Sequence, residues 1–482
     1  MFALLSQYWP HILLVLSIVM GTAAAIHAAM TKRDVRSATG WVAVILLSPI
    51  IGALLYGVAG INRIRRASVL QRRGARAERQ REMLALYDVT DLDCENLFGS
   101  RMRAMKTLGD RVAQCALTSG NGITILSSGK EAYDAICAAI DAASRSVILE
   151  TYIFDRDEAG MRVADCLIAA HRRGVIVRVL IDAVGARYSV PSILGYLKDG
   201  GVVADAFNGN VIMGLRLPYA NLRTHRKIIV VDGAQAFVGG MNIRAAFIGD
   251  HPSGDTHFRV TGPVVADLFS VAADDWHFQT GEFLAHRAWD ISVDDAVLGQ
   301  PVFVRAVVSG PDRNLETNHK LLMGAFSVAK KSIRIMSPYF LPDNELLSAL
   351  ATAARRGVAV DIVVPSQNNL ALVSHAMTAQ FEIILKDRCR LWRAPGRFNH
   401  SKLLSIDGKW AYVGSSNLDS RSLRLNFEID LEIFDANFAA TIDARIAEGL
   451  KGAAEVTMEE LKARPFVVRL FDRVLWLGSP YL

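Results

Sequence analysis

Two histidine–lysine pairs carry the reactive chemistry of this sequence: His225 with Lys227, and His400 with Lys402. Each opens the pattern His-x-Lys-x-x-x-x-Asp, closed by Asp232 in one copy and Asp407 in the other. Gly239 and Asn242 then recur as Gly414 and Asn417, so five identities repeat at an offset of 175 residues. One buried histidine beside a strand lysine is a common core feature; two copies in register mark a duplicated site. Two imidazoles facing one cleft suit a two-step substitution at phosphorus. A histidine of ordinary pKa ~6.5 is a good nucleophile near neutrality. A second can protonate the leaving alkoxide and then deprotonate the incoming alcohol or water. Lys227, Lys402, Asn242 and Asn417 would hold the non-bridging oxygens as their charge grows. Such a site needs neither cofactor nor metal, and no HExxH or acidic-cluster motif is seen.

Imidazoles used this way need carboxylates to fix their tautomer. Each repeat offers one: Asp255 lies 30 residues after His225, and Glu428 lies 28 after His400. The expectation is that each holds the histidine of its own repeat. Asp232 and Asp407 complete the catalytic motif, yet their place beside a turn glycine fits a purely structural role equally well. Ser415 and Ser416 sit where a tight turn is expected. Glu150 and Tyr152 end a buried strand and either face the cleft or pack at the core edge. His319 and His375 have no counterpart in the other repeat and read as structural or exposed.

The elements that position these groups also repeat. Ser146–Phe154 reads as a buried strand, followed by a helix ending at Gly174 and a second strand, Val175–Asp182. Ser332–Phe340, a helix ending at Gly357 and Val358–Pro365 repeat the arrangement, with the shared Arg-Arg-Gly-Val at an offset of 183. Apolar runs separated by helical stretches indicate parallel βαβ units. Each histidine motif enters a strand, with His and Lys on one face, and Gly233 and Gly408 turn the chain into a hairpin partner. Two α/β lobes are expected, 119–290 and 291–482, divided where polar and acidic residues interrupt the pattern near Phe283–Pro301.

Ahead of the lobes, His11–Met30 and Trp41–Ile61 carry no formal charge over 20 and 21 residues. At ~1.5 Å per residue each reaches ~30 Å, the hydrocarbon thickness of a bilayer. A cleaved signal peptide would begin with a basic region, and Met1–Pro10 has no charge. Residues 1–61 therefore read as a membrane hairpin and 62–118 as a basic juxtamembrane linker. Eight arginines and one acid lie between Arg63 and Arg81, a local charge of +7 against +6 for the whole chain, which leaves about −1 elsewhere. That distribution argues against a nucleic-acid face on the lobes and for an anionic membrane partner. The heavier positive flank predicts lobes on the cytoplasmic side of a cell membrane. Five scattered cysteines (Cys94, Cys115, Cys137, Cys166, Cys389) suggest neither a disulfide framework nor a metal site. The C-terminal run Phe466–Leu477 fits packing on the second lobe, with a membrane-surface role as the alternative.

The paired motifs resemble those of the phospholipase D superfamily and, over nearly the full chain, the bacterial cardiolipin synthases. The resemblance rests on NLRTHRKIIVVDG (Asn221–Gly233), GGMN (Gly239–Asn242), DTHFRVTGP (Asp255–Pro263) and FNHSKLLSIDG (Phe398–Gly408). GSSNLDSRSLRLNFEIDLEI (Gly414–Ile433) and the terminal SPYL (Ser479–Leu482) extend it. One departure is Ser253-Gly254 before Asp255, where the family usually has an aromatic and a basic residue. The resemblance implies two phospholipase-D-like α/β/α lobes behind a transmembrane hairpin. It also implies a phosphatidyl-histidine intermediate on one histidine, taken as His225, with His400 as acid and base. Ser415 and Ser416 follow from the resemblance alone as hydroxyl donors to phosphate. Phosphatidylglycerol would be both donor and acceptor, giving cardiolipin and glycerol. A hydrolase using the same residues, a nuclease of the same superfamily and a membrane scaffold are the rivals.

Overall fold

The computed structural model describes residues 2–32, 35–60, 82–208, 222–293, 302–312 and 314–479. The arginine-rich run between Arg63 and Arg81 and the last three residues of the chain lie outside them. The chain divides into two units, an N-terminal one and one holding everything from residue 82 save the segment near 210–221.

In the N-terminal unit, α1 (Phe2–Thr31) is one uninterrupted 30-residue helix. Its stretch Tyr8–Thr31 is long and apolar enough to cross a membrane. The second apolar segment is not one continuous α-helix, as the sequence reading had it. It forms α2 (Val35–Leu47) and α3 (Pro49–Leu55), which ends in a wide π-type turn over Tyr56–Gly60. Pro49 is the cause: it has no N–H to give the preceding turn, and its ring clashes with a continuing helix. The two arms meet at Ala28, Ile45 and Tyr56, and the Tyr56 hydroxyl lies 2.8 Å from His27 Nδ1. A side chain at Gly52 would strike the Val44 backbone, so this close approach needs glycine.

The second unit opens with α4 (Asp91–Phe98) and α5 (Ser100–Val112). Thr90 and Asp93 close a reciprocal capping box on α4. Cys94, Met102 and Met105 pack into one core with Phe303, Leu321 and Phe326. This part of the expected linker is thus built into the second lobe. Its polar anchor is the buried Arg305, which pairs with Asp110 and Glu432.

The first lobe comprises β1 (Gly122–Leu126), α6 (Gly129–Ala142), β2 (Ser146–Thr151), α7 (Glu158–Arg172), β3 (Ile176–Asp182), α8 (Ile193–Asp199), β4 (Val203–Phe207), β5 (Arg223–Thr224), β6 (Ile228–Val231), β7 (Gln235–Gly239), β8 (His257–Thr261) and α9 (Val264–Thr280). Its sheet runs β1-β8-β7-β6-β2-β3-β4, parallel from β2 to β4 and antiparallel elsewhere. Every residue of β2 is buried, as a central strand covered on both faces requires. Leu149 sits in this core beneath α6 and α7, and Leu149→Ala would cost about 2–5 kcal/mol.

The second lobe repeats the order with β9 (Phe303–Ser309), α10 (Thr317–Val328), β10 (Ser332–Met336), β11 (Phe340–Leu341), α11 (Asn344–Arg355), β12 (Ala359–Pro365), α12 (Ala371–Lys386), β13 (Arg390–Ala394), β14 (Leu403–Ile406), β15 (Trp410–Gly414), β16 (Leu418–Asp419), α13 (Ser420–Arg424), β17 (Asn426–Phe434), α14 (Ala436–Leu450), β18 (Ala454–Glu455), α15 (Met458–Ala463) and α16 (Phe466–Leu477). Here β9, β17, β15, β14, β10, β12 and β13 occupy the places of β1, β8, β7, β6, β2, β3 and β4. The fold is therefore the doubled α/β architecture that the repeat predicts.

The lobes are joined through backbone. β5 of the first pairs in parallel with the start of β17, and Gly254 bridges Asn399 in the same sense.

Candidate active site

Each histidine lies three residues before a strand, His225 and Lys227 ahead of β6, His400 and Lys402 ahead of β14. The hairpins that follow turn on Asp232-Gly233 and Asp407-Gly408, with φ of 52° and 61° in one and 55° and 64° in the other. Asp-Gly is a favoured pair for a tight turn with both central residues at positive φ. Asp232 does not reach the histidine. Its carboxylate accepts from the backbone N–H groups of Ser144, Arg145 and Ser146. Asp407 does the same for Lys330, Lys331 and Ser332. Of the two roles open to these aspartates the structural one holds, and their inclusion among the catalytic groups is corrected. Each ties a hairpin turn to the start of the neighbouring central strand.

The orienting carboxylates are exchanged. His225 Nδ1 lies 2.9 Å from Glu428, and His400 Nδ1 lies 2.9 Å from Asp255. The expectation that each repeat serves its own histidine is overturned by the strand pairing between lobes. His225 N–H donates to Phe427 O at 2.8 Å, which puts Glu428, the next residue, against the ring. His400 N–H donates to Gly254 O at 2.7 Å, which does the same for Asp255. The missing aromatic and basic residues before Asp255 have a role here: a side chain at Gly254 would press on Asn399, closing the approach that seats His400.

A carboxylate only accepts hydrogen bonds, so an ionised Glu428 or Asp255 selects the Nδ1–H tautomer and leaves Nε2 for chemistry. Both rings are nearly buried. Burial, then the Lys227 and Lys402 ammoniums, hold the His225 imidazole well below its ordinary pKa of 6.5. Burial, then Lys402, lower His400 to about 4. Burial also lowers Lys227 to about 7 and Lys402 to about 8. Each lysine Nζ donates to the backbone carbonyl of its own histidine.

The two carboxylates are not equivalent. Burial works to raise Asp255, but the hydrogen bond from His400 and the charge of Lys402 outweigh it and hold the group below the carboxylate range. Burial raises Glu428 despite the opposing charge of Lys227. Ser415 Oγ donates to Glu428 at 2.6 Å and accepts from Ile429 N–H. Ser415 is therefore joined to the carboxylate, and Ser416 is bonded to Asp430. In the first lobe Gly240 holds the position of Ser415, and a Cβ there would lie 2.7 Å from Asp255 and 3.2 Å from Lys402.

The remaining expected residues divide. Asn242 Oδ1 accepts from Ile153 N–H, and Asn417 Nδ2 donates to Ser422 Oγ. Both asparagines are buried. Tyr152 lies at the cleft, its ring 5.1 Å from His225 and 5.5 Å from Lys227 Nζ. Glu150 is buried in the core, bonded to Thr224 Oγ1. His319 pairs with Asp343 and Glu345, a cluster beside Arg424 in which Asp343 also caps α11. His375 pairs with Asp472.

Residues that sequence reasoning passed over complete the walls. Tyr339 and Phe398 pack on His400 at 6.1 and 5.8 Å. Arg226, the residue between His225 and Lys227, is buried; it pairs with Asp275 and donates Nε–H to Glu428 O at 3.1 Å. In the other repeat Ser401 takes that place and meets Thr256 Oγ1 at 2.9 Å. Position within the motif was the signal available: the x of His-x-Lys points away from the cleft, toward the other lobe.

A doubled α/β sheet with two histidines, each braced across the pseudo-two-fold by a carboxylate, defines a phospholipase-D-like protein. The profile of the family described as "Cardiolipin synthase, PLD-like domain" matches residues 136–250 and 322–449. A second, "Phospholipase_D-nuclease N-terminal", matches 19–60. The chain is 33% identical to the cardiolipin synthase A of Pseudomonas putida over 488 residues, covering 99% of each. It is 32% identical to the cardiolipin synthase of Alkalihalophilus pseudofirmus over 92% of this chain and 88% of that one. Among solved structures, a phosphatidylserine synthase from Haemophilus influenzae shares the fold, with a TM-score of 0.61 at 17% identity, over 79% of this chain and all of that one. The chain belongs to the cardiolipin synthase family of phospholipase-D-like proteins, and it is membrane-associated.

Proposed function

We propose that the protein is a phosphatidyltransferase that joins two phosphatidylglycerol molecules into cardiolipin and releases glycerol. The observation that carries this reading is the exchanged bracing of His225 by Glu428 and of His400 by Asp255, which prepares both imidazoles at the junction of the lobes.

His225 Nε2 attacks the phosphorus of the first phosphatidylglycerol. The P–O bond to the headgroup glycerol breaks, and the leaving alkoxide takes a proton from His400 Nε2. A phosphatidyl group is then carried on His225, whose positive ring is held by Glu428 through Nδ1–H. The free hydroxyl of a second phosphatidylglycerol gives its proton to His400 Nε2 as its oxygen attacks phosphorus. The P–N bond breaks, and both rings return to their starting states. One phosphodiester replaces another, so bond energy is nearly balanced and exclusion of water decides between transfer and hydrolysis.

The division of labour follows from the two environments. His225 is held neutral by burial and by the two lysine charges, as a nucleophile requires. His400 faces Asp255, the carboxylate that stays ionised, and an arriving phosphodiester anion adds to that field, so this ring can hold the proton an acid must supply. Lys227 and Lys402 bind the non-bridging oxygens, which in turn favour their charged forms. Asn242 and Asn417, buried just after the two hairpins, add side-chain amides to the same phosphate site. The hairpin of α1 with α2 and α3 spans the cell membrane and keeps the lobes, 119–290 and 291–482, on the cytoplasmic side.

Purified full-length protein in detergent, given labelled phosphatidylglycerol, should release cardiolipin and glycerol in equal amounts. Phosphatidic acid as the dominant product would overturn the transferase reading in favour of a hydrolase.

A further inference from the structure

Helix α16 has two contrasting faces. On one, the buried Asp472 binds His375 at 2.7 Å, Arg473 pairs with Glu382 at 2.8 Å, and Leu475 and Trp476 reach the second lobe's core. The other is bare. Phe466, Val467, Leu470, Phe471, Val474 and Leu477 are each between 47% and 74% exposed. At ~100° per residue these six fall in one arc of roughly 140°. Arg469 and Arg473 lie along one edge of it. Six large apolar side chains in one exposed stripe form a patch of the kind that marks an interaction surface.

The stripe is continuous with the cleft. The Phe471 ring packs on His375 at 5.2 Å. One turn earlier on α12, Leu372 is exposed, as is Leu370 at its cap. Asn369, next to Leu370, accepts the Tyr339 hydroxyl at 2.7 Å, and Tyr339 packs on His400. In the first lobe the loop after β3, counterpart of the loop after β12, exposes Tyr188 and Val190.

We propose that α16, with the loops around Tyr188–Val190 and Asn369–Leu372, is the face by which the catalytic lobes lie on an anionic bilayer. The helix lies flat in the interface, its apolar arc among the upper acyl carbons and its arginines at headgroup level. A basic edge on an apolar stripe fits anionic phospholipid, and continuity with the wall of His400 lets a headgroup enter the cleft while its chains stay in the membrane. The inference rests on phospholipid being the substrate.

The test uses the full-length chain in bilayers whose acyl chains carry bromine, a short-range quencher of tryptophan. Leu470→Trp should add emission over the parent protein, and brominated chains should remove roughly half of that increment. An increment that is equal in brominated and ordinary bilayers overturns the proposal. So does an increment that follows protein concentration and not lipid, which would make a second copy the occupant. This readout needs no turnover, so it stands apart from the identity of the product. Leu470→Glu with Val474→Glu should lower turnover of bilayer phosphatidylglycerol by about tenfold or more and leave a short-chain, monomeric phosphatidylglycerol unaffected. Unchanged turnover in bilayers, or equal loss on both substrates, overturns it.

Discussion

The two lobes have the same strands in the same order, the same Asp-Gly turn and the same His-x-Lys, yet they differ in the few atoms around each imidazole. His400 of the second lobe is braced by Asp255, a short carboxylate kept ionised, with Gly240 packed against it. His225 of the first is braced by Glu428, a longer carboxylate that burial raises and that also holds Ser415 and Asn426. Two residues further along each bracing strand, His257 stands in the first lobe and Asp430 in the second, opposite Gly239 and Gly414. Burial pushes His257 down to about 4 and Asp430 up to about 7. The duplicated frame is symmetric, and the two histidines differ in their bracing carboxylates, in the turns beside them and in the residue inside each motif, Arg226 in one and Ser401 in the other.

The largest test of that contrast removes the rings one at a time. His225→Ala and His400→Ala should each lower turnover by about 10⁴-fold or more. Only His400→Ala should still trap lipid on the protein in a single turnover, measured by mass spectrometry of the labelled chain. Trapping in His225→Ala alone would reverse the roles. Next come the braces. Glu428→Gln and Asp255→Asn should each cost about 10²–10⁴-fold. Glu428→Gln should abolish the initial burst of glycerol and Asp255→Asn should mainly slow its protonation-dependent phase. If Asp255→Asn affected the burst and Glu428→Gln did not, the crossed bracing would not govern chemistry.

The lysines give a smaller and pH-dependent effect. Their lowered pKa values, about 7 for Lys227 and about 8 for Lys402, mean the ammonium forms exist below those values and are lost above them. kcat/KM for phospholipid should therefore fall as pH rises through 7 to 8. Lys402→Arg, whose guanidinium does not titrate there, should remove the higher inflection. Ser415→Gly would give the second lobe the first lobe's arrangement; a loss of about tenfold is expected, from one hydrogen bond to a buried carboxylate. Asp232→Ala and Asp407→Ala are the control pair. Each should lower stability by about 1–3 kcal/mol, read from thermal unfolding of the full chain, with turnover per folded molecule nearly unchanged.

The repeat, both α/β lobes and both His-Lys pairs are legible in the sequence because each rests on local spacing: period-two burial, helix-length gaps and a fixed offset. The exchange of carboxylates is not, because it depends on β5 pairing with β17 across some two hundred residues of chain, and no local pattern encodes that register. Asp255 and Glu428 were found by their distances from the histidines in sequence, and those distances pointed to the wrong partners. Pro49 lies inside the second apolar run, and its missing N–H divides a segment whose composition alone reads as one helix. The stretch after the arginine run looked like a linker since α5 is polar overall. Met102, Met105, Lys106 and Gly109 carry its buried face, a pattern with only two large apolar residues, although the Thr90–Asp93 capping box was there to be read. The helix at Phe466–Leu477 was expected to pack on the second lobe, and only half of its surface does.

Because each lobe lends the other its carboxylate, the order of synthesis has a consequence. A ribosome that has finished the first lobe has made His225 and Asp255, but not Glu428 or His400. His225 then has no acceptor to fix its tautomer and no partner to protonate a leaving group. The apolar helix Tyr8–Thr31 precedes all of this in the chain, so the membrane-associated part is made before the two histidines can be braced. Both braces exist only once β17 (Asn426–Phe434) has been made and paired with β5.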